Sequence, residues 1–272
     1  MTYPPSGSRT RLVVDGHAHL RESSFARALD AANENFARVA PPDAWSAVLC
    51  LVEPAGQDLF AMWSRGAANG ALALGSRCST WRARRTREEE SLALERENGR
   101  SLALIAGRQV ISAERLEVLA IGTSRAFAEG TPAGRLVDQI QRADALAVLP
   151  WGAGKWLGAR GRSLRDLIRD SEEGSLYLGD NGGRPTLWRP SHFKLARSAG
   201  IPILPGSDPL PFSGEAVRLG SFGFTTLADR FDPETPAAGL KDALRSGSTP
   251  VPYGRSMGAG RFLSNQVRLL SR

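Results

Sequence analysis

The chain has 272 residues, with 35 Lys+Arg against 28 Asp+Glu, a net charge of +7, and 42% apolar residues. This is the composition of a globular protein, not of a disordered or fibrous one. No apolar run approaches the roughly 18–20 residues of a membrane-spanning helix, and the polar, proline-containing start from Met1 to Thr10 does not read as a secretory signal. Lys155, Lys194 and Lys241 are the only lysines, and the arginines are scattered rather than gathered into a stripe. That pattern argues against nucleic acid as a partner and for a small anionic substrate. Cys50 lies inside the apolar run Ala47–Val52. No CxxC occurs, so a reducing, cytoplasmic setting is expected.

In chain order, Arg11–Asp15 reads as a short buried strand. Ser24–Val39 reads as a helix with Phe25, Leu29, Ala32 and Phe36 on one face. Ser46–Val52 is a second buried strand. Between residues 77 and 122 a strand-rich insertion is expected. Asn98-Gly99 separates two apolar runs as a hairpin turn does, and Gln109–Ser112 and Leu116–Ile121 form a further pair. Helices at Ala133–Arg142, Ser163–Arg169 and Pro190–Ala199 then alternate with strands at Leu146–Leu149, Ser175–Leu178 and Ile201–Leu204. Such alternation predicts an α/β fold, a distorted TIM-like (β/α)7–8 barrel, formed by residues 1–272 as a single domain. A doubly wound open sheet is the alternative, but no strand leads into a G-x-G-x-x-G turn.

Chemistry concentrates at two strand ends. In Val13-Val14-Asp15-Gly16-His17-Ala18-His19, alternate residues of an extended strand face the same way, so His17 and His19 can grip one metal ion. Asp15 shares their parity and is expected to orient a histidine ring from behind. The strand Ile201–Leu204 runs into Gly206-Ser207-Asp208, where Asp208 can complete the ligand set or act as a catalytic base toward metal-bound water. Two glycine-rich loops also come after strands. Gly152-Ala153-Gly154-Lys155 lacks P-loop spacing but brings a charge. In Gly179–Pro185, Asp180 or Asn181 can face the metal and Arg184 can clamp an anion in bidentate fashion. His192 and Glu53 are weaker candidates, and Glu88-Glu89-Glu90 reads as a solvated charge run.

Asp15-Gly16-His17-Ala18-His19 resembles the opening motif of PHP (polymerase and histidinol phosphatase) domains and of the wider amidohydrolases. Leu104–Val110 with Leu116–Gly122 is similar to the PHP middle block, and Leu195–Asp208 to its closing helix, strand and Gly-Ser-Asp. The resemblance implies a metal-dependent hydrolase, of phosphoesterase or amidohydrolase type, with His17, His19 and Asp208 as metal ligands. A zinc or manganese ion is expected, and Lys155, Arg184, Asn181 and Gln109 are the expected substrate-binding residues. Gln109 stands where PHP enzymes carry a bridging Glu, Leu149 or Trp151 where they carry a His, and Leu210 where G-S-D-x-H ends. A neutral amide binds a divalent ion weakly, so one ion is the most this set supports. A catalytically decayed descendant that binds a ligand or partner is the competing reading. His19-Leu20-Arg21 also resembles the H-x-H-L-R of cyclic-amide hydrolases, but no lysine stands in a strand to be carbamylated.

Overall fold

The computed structural model describes residues 9–40, 45–74, 81–96, 101–172, 174–212 and 214–271. Its strands are β1 (Thr10–Ala18), β2 (Trp45–Leu51), β3 (Leu72–Ala73), β4 (Trp81–Arg85), β5 (Ser91–Arg96), β6 (Leu102–Ile105), β7 (Gly107–Ile111), β8 (Glu117–Ile121), β9 (Leu146–Pro150), β10 (Tyr177–Asn181), β11 (Ile203–Gly206), β12 (Phe222–Ala228) and β13 (Val251–Gly254). Its helices are α1 (Phe25–Val39), α2 (Leu59–Gly66), α3 (Ala133–Arg142), α4 (Gly158–Asp170), α5 (Ser191–Ser198), α6 (Pro236–Arg245) and α7 (Ala259–Leu270). No helix is long and apolar enough to cross a membrane among the described residues.

The strands form two sheets, ordered β13-β12-β1-β2-β6-β5-β4-β3 and β11-β10-β9-β8-β7. Pairing is parallel between β1 and β2, β2 and β6, β9 and β10, and β10 and β11, and antiparallel elsewhere. The sheets face each other over a shared apolar core. Leu12, Val14, Val48, Leu119, Val148, Tyr177 and Leu204 supply one parity of their strands to it. The opposite parity of the first sheet packs under α1 and α2, with Val13, Leu49 and Leu104 beneath Leu29, Phe36 and Trp63. That of the second packs under α3, α4 and α5, with Val118, Ala147 and Leu178 beneath Leu136, Leu164 and Phe193. Strands covered on both sides must be apolar throughout, which is why β1 and β9 read as runs rather than alternations.

α6 plugs one end of the shared core with Leu240 and Leu244, and Lys241 on the same helix bonds the Asp144 carbonyl and carboxylate at 2.9 and 2.6 Å, just before β9 begins. The opposite end, where β1, β2, β9, β10 and β11 finish, is the mouth.

Two expectations are corrected. The closed barrel is not formed: neither sheet closes on itself. Among the described residues, backbone links between them include a parallel bridge of Glu53 with Arg108 beyond β2 and the Asp208 N–H donating to the His17 carbonyl at 2.8 Å. Nor is 77–122 an insertion. β6 lies between β2 and β5 as an integral strand, and β7 and β8 build the edge of the second sheet. The apolar runs marked strands correctly, but periodicity carries no information on which sheet a strand joins. The Asn98-Gly99 turn lies outside the described residues, although β5 and β6 flank it as an antiparallel pair.

Candidate metal centre

β1 ends with one residue too many. Asp15 is opposite Leu49 and Ala18 opposite Leu51, so three steps in β1 match two in β2. This bulge reverses the parity of the residues beyond it. Val13 before it and Ala18 after it both face the outer core, so His17 and His19 turn inward to the mouth while Asp15 faces away from it. The pair stays on one side, as the sequence pattern requires. Asp15 does not.

Asp208 arrives from β11 across a tight seam. A Cβ on Gly206 would lie 2.2 Å from the His17 backbone nitrogen, and one on Gly16 would lie 2.8 Å from the Pro205 carbonyl oxygen. The two glycines let β1 and β11 touch backbone to backbone, which brings the acid to the imidazoles. Asp208 adopts a left-handed φ of 42° immediately before a proline, a conformation costing on the order of 1–3 kcal/mol. Its N–H bond to His17 and the Asn181 amide, which donates to Oδ2 at 2.6 Å, hold it there.

The other oxygen, Oδ1, stands 3.4 Å from His19 Nε2 and 3.7 Å from His17 Nε2, and the two ring nitrogens are 3.1 Å apart. Tetrahedral ligands at about 2.0–2.1 Å from zinc are separated by roughly 3.3–3.4 Å. The three atoms are therefore spaced much as the ligand atoms on one face of a tetrahedron around a single ion would be. Burial lowers the His17 imidazole to about 4, against the pull of Asp208, so it is neutral and free to ligate at neutral pH. Burial alone would raise the Asp208 carboxyl, but His17, His19 and Lys155 outweigh it and hold the group well below the usual carboxylate range. Two imidazoles and one carboxylate suit zinc or manganese, so the residues present fit one divalent ion.

The remaining expected residues divide. Asp15 does not orient a ring. Its buried carboxylate accepts from the Ser207 N–H and hydroxyl at 2.8 and 2.5 Å, the Gly220 N–H at 2.8 Å and the His17 N–H at 3.2 Å, stapling the two strand ends. Burial raises that carboxyl to about 6 despite these donors. Asn181 stands behind Asp208. Its amide also donates to the Trp151 carbonyl at 3.1 Å, and its oxygen accepts from the Gly183 N–H at 2.7 Å, so it positions the acid rather than a substrate. Arg184 does not present a free clamp. Asp180 takes it in bidentate fashion at 2.7 Å on both bonds, and a third bond goes to the Trp188 carbonyl. His192 is buried on the Gly161 carbonyl at 2.9 Å, and Glu53 caps α2 through the Leu59 N–H at 2.6 Å.

Lys155 does reach the mouth, and its charge is felt by both His17 and Asp208. Its ammonium is paired with Glu117, which also accepts from the Gln109 amide at 3.1 Å. Glu117 is a residue that sequence reasoning missed. It shares the inward parity of Leu119 and Ile121 and starts β8 at the mouth. Its one visible signal was to be the lone acid opening the apolar run Val118–Ile121. Leu149 is buried in the outer core. Among the described residues, His17, His19 and Asp208 form the only cluster of three or more His, Cys, Asp or Glu side chains able to share an ion.

Neither family models nor curated proteins give a sequence match. Among solved structures the chain is similar to PsfC from Pseudomonas syringae PB-5123, with a TM-score of 0.58 and 13% identity over 97% of this chain and 99% of that one. It is also similar to the lesion-specific endonuclease PfuEndoQ from Pyrococcus furiosus, with a TM-score of 0.52 and 13% identity over 91% of this chain and 59% of that one. A two-domain protein from Bacteroides vulgatus ATCC 8482, containing a predicted PHP-like metal-dependent phosphoesterase, gives a TM-score of 0.48 and 12% identity over 92% of this chain and 66% of that one. At these identities the first two likenesses establish a shared fold.

Proposed function

We propose that the protein is a metal-dependent hydrolase acting on a phosphate ester or another anionic small molecule. The observation that carries this reading is the single face formed by His17 Nε2, His19 Nε2 and Asp208 Oδ1, at edges of 3.1, 3.4 and 3.7 Å. A divalent zinc or manganese ion bound there would polarise the substrate and lower the pKa of a bound water. His17 contributes a neutral ring, and Asp208 contributes one ionised oxygen while Asn181 fixes the other. Lys155 supplies the positive charge that draws an anion to the mouth. An endonuclease also cleaves a phosphate ester, and the fold is shared with one.

Metal analysis of the purified chain, together with a panel of phosphate esters, tests the reading. About one ion per chain, with turnover abolished in His17→Ala, supports it. No ion above trace, with His17→Ala indistinguishable from the parent protein, refutes it. A second reading is a binding module descended from such enzymes. It draws on Gln109, Leu149 and Leu210, which fill positions where the PHP resemblance expects metal ligands. Ion binding at one equivalent without turnover of any ester would favour that second reading.

A further inference from the structure

The mouth contains a second carboxylate besides Asp208, and it is already engaged. Glu117 Oε1 accepts both from the Lys155 ammonium and from the Gln109 amide, the latter at 3.1 Å. The Glu117 side chain is 13% exposed, so the carboxylate is largely removed from water and is held by its two donors. A metal ion would have to displace an ammonium to use this carboxylate, and the neighbouring Gln109 offers only a neutral amide. The loop is shaped for the lysine. A Cβ on Gly152 would lie 2.5 Å from Lys155 Cδ, so the glycine gives the side chain room to fold back across Gly152-Ala153-Gly154. Lys155 remains 37% exposed, and its charge acts on both His17 and Asp208.

We infer that the Lys155 ammonium, anchored by Glu117, which Gln109 also holds, stands where a second metal ion would otherwise be needed, so that the site takes a dianionic phosphate group bridged between one bound ion and one lysine. The inference rests on the one-ion reading of His17, His19 and Asp208. An ion held by His17, His19 and Asp208 and an ammonium held by Glu117 at the same mouth match a group with at least two free oxygens on one phosphorus. A neutral amide offers one acceptor oxygen and no charge to either point. Glu117 is a positioning residue: it acts on the ligand only through Lys155.

The test uses the full chain, zinc and inorganic phosphate, with zinc stoichiometry and phosphate affinity both measured by calorimetry. The parent protein is expected to bind one zinc and then phosphate. Lys155→Met is expected to keep one zinc but bind phosphate at least tenfold more weakly, with Lys155→Arg restoring part of the affinity. Glu117→Gln is expected to weaken phosphate severalfold. In the double variant Glu117→Gln/Lys155→Met phosphate binds no more weakly than in Lys155→Met alone, because Glu117 has no lysine left to position. A purely structural Glu117 would instead add its own loss. Two zinc ions in the parent protein, no phosphate binding by its zinc form, or wild-type phosphate affinity in Lys155→Met would each overturn the inference while leaving the metal site intact. Failure of the parent protein to bind zinc would overturn the one-ion reading and the inference together.

Discussion

Gly206→Ala tests the seam that assembles the candidate metal centre. The added Cβ would sit 2.2 Å from the His17 nitrogen, 2.5 Å from its Cβ and 2.7 Å from its Cα. Non-bonded atoms favour roughly 3.5 Å or more, so β11 must retreat from β1 by about 1 Å. All three contacts are to backbone or Cβ atoms, which cannot swing aside. Overpacking of this kind costs typically about 1–3 kcal/mol. The functional effect is larger in kind, because Asp208 comes two residues later and donates its N–H to the same His17. Moving one of three ligands by a distance comparable to half a zinc–ligand bond should weaken zinc at least as much as losing a supporting contact, on the order of 10–100-fold.

Those magnitudes set the assay. At zinc equal to 100 times the parent dissociation constant, binding adds about 2.7 kcal/mol to the parent protein. A 10–100-fold loss of affinity leaves only about 0.4–1.4 kcal/mol at the same zinc concentration. With roughly 2–4 °C per kcal/mol for a chain of this size, the zinc-dependent rise in Tm falls from roughly 5–11 °C to a few degrees. Gly258→Ala is the control, since a Cβ there meets nothing within 4 Å. Gly206→Ala with the parent Tm and the full zinc response would refute the seam argument.

Other outcomes depend on single side chains. His17→Ala should lose the zinc-dependent rise in Tm entirely, and a retained rise would mean that the ion binds elsewhere. Burial raises the Glu53 carboxyl above its ordinary value of 4.5, against the Leu59 and Phe60 N–H donors and Arg108. Its contribution to stability is then whole below that value and is lost as pH rises through the folded pKa. The non-ionising Glu53→Gln should therefore gain on the parent as pH rises, with the Tm difference smallest near pH 4 and most in favour of the variant at pH 7–8. A difference that does not vary with pH would sink this. Burial, with Asp15 adding to it, pushes the Cys50 thiol far above its ordinary value. Iodoacetamide at pH 8 should leave the Cys50 peptide unmodified until urea unfolds the chain, and labelling of the native protein at the rate of a free thiol would contradict that burial.

Much of the fold could be read from period and punctuation. Helix α1 begins one residue from where Phe25, Leu29 and Phe36 place it, and α3 has the expected bounds. β10 and β11 sit about two residues later than their apolar runs suggest, because Asp180-Asn181 and Pro205-Gly206 continue the ladders despite their turn chemistry. The stretch after Asp208 carried no legible pattern. β12, with the sequence Phe222-Gly223-Phe224-Thr225-Thr226-Leu227-Ala228, completes the first sheet beside β1, a pairing with a sequence separation of about two hundred residues that no local pattern encodes. Arg184 shows the same limit at shorter range. Its type and loop suited an anion clamp, but Asp180, four residues earlier, takes its Nε and Nη2 edge and the Trp188 carbonyl takes Nη1.

The HxH pair was legible because its signal is relative: two residues apart in an extended chain share a side wherever that side points. The direction itself was not legible, because it depends on one extra residue between Asp15 and Ala18 that only pairing with β2 reveals. The same bulge decides what Asp15 does. On a regular strand it would face the imidazoles, and three charged or ligating groups would compete for one mouth. Turned outward, it instead gathers four donors from His17, Ser207 and Gly220. Hydrogen bonds to a charged acceptor contribute about 1.5–3 kcal/mol each, and two of these four come from the residue immediately before Asp208. The carboxylate that faces away from the imidazoles thus fixes the backbone of the one beside them, and it does so from the opposite face of the strand, fully buried from water.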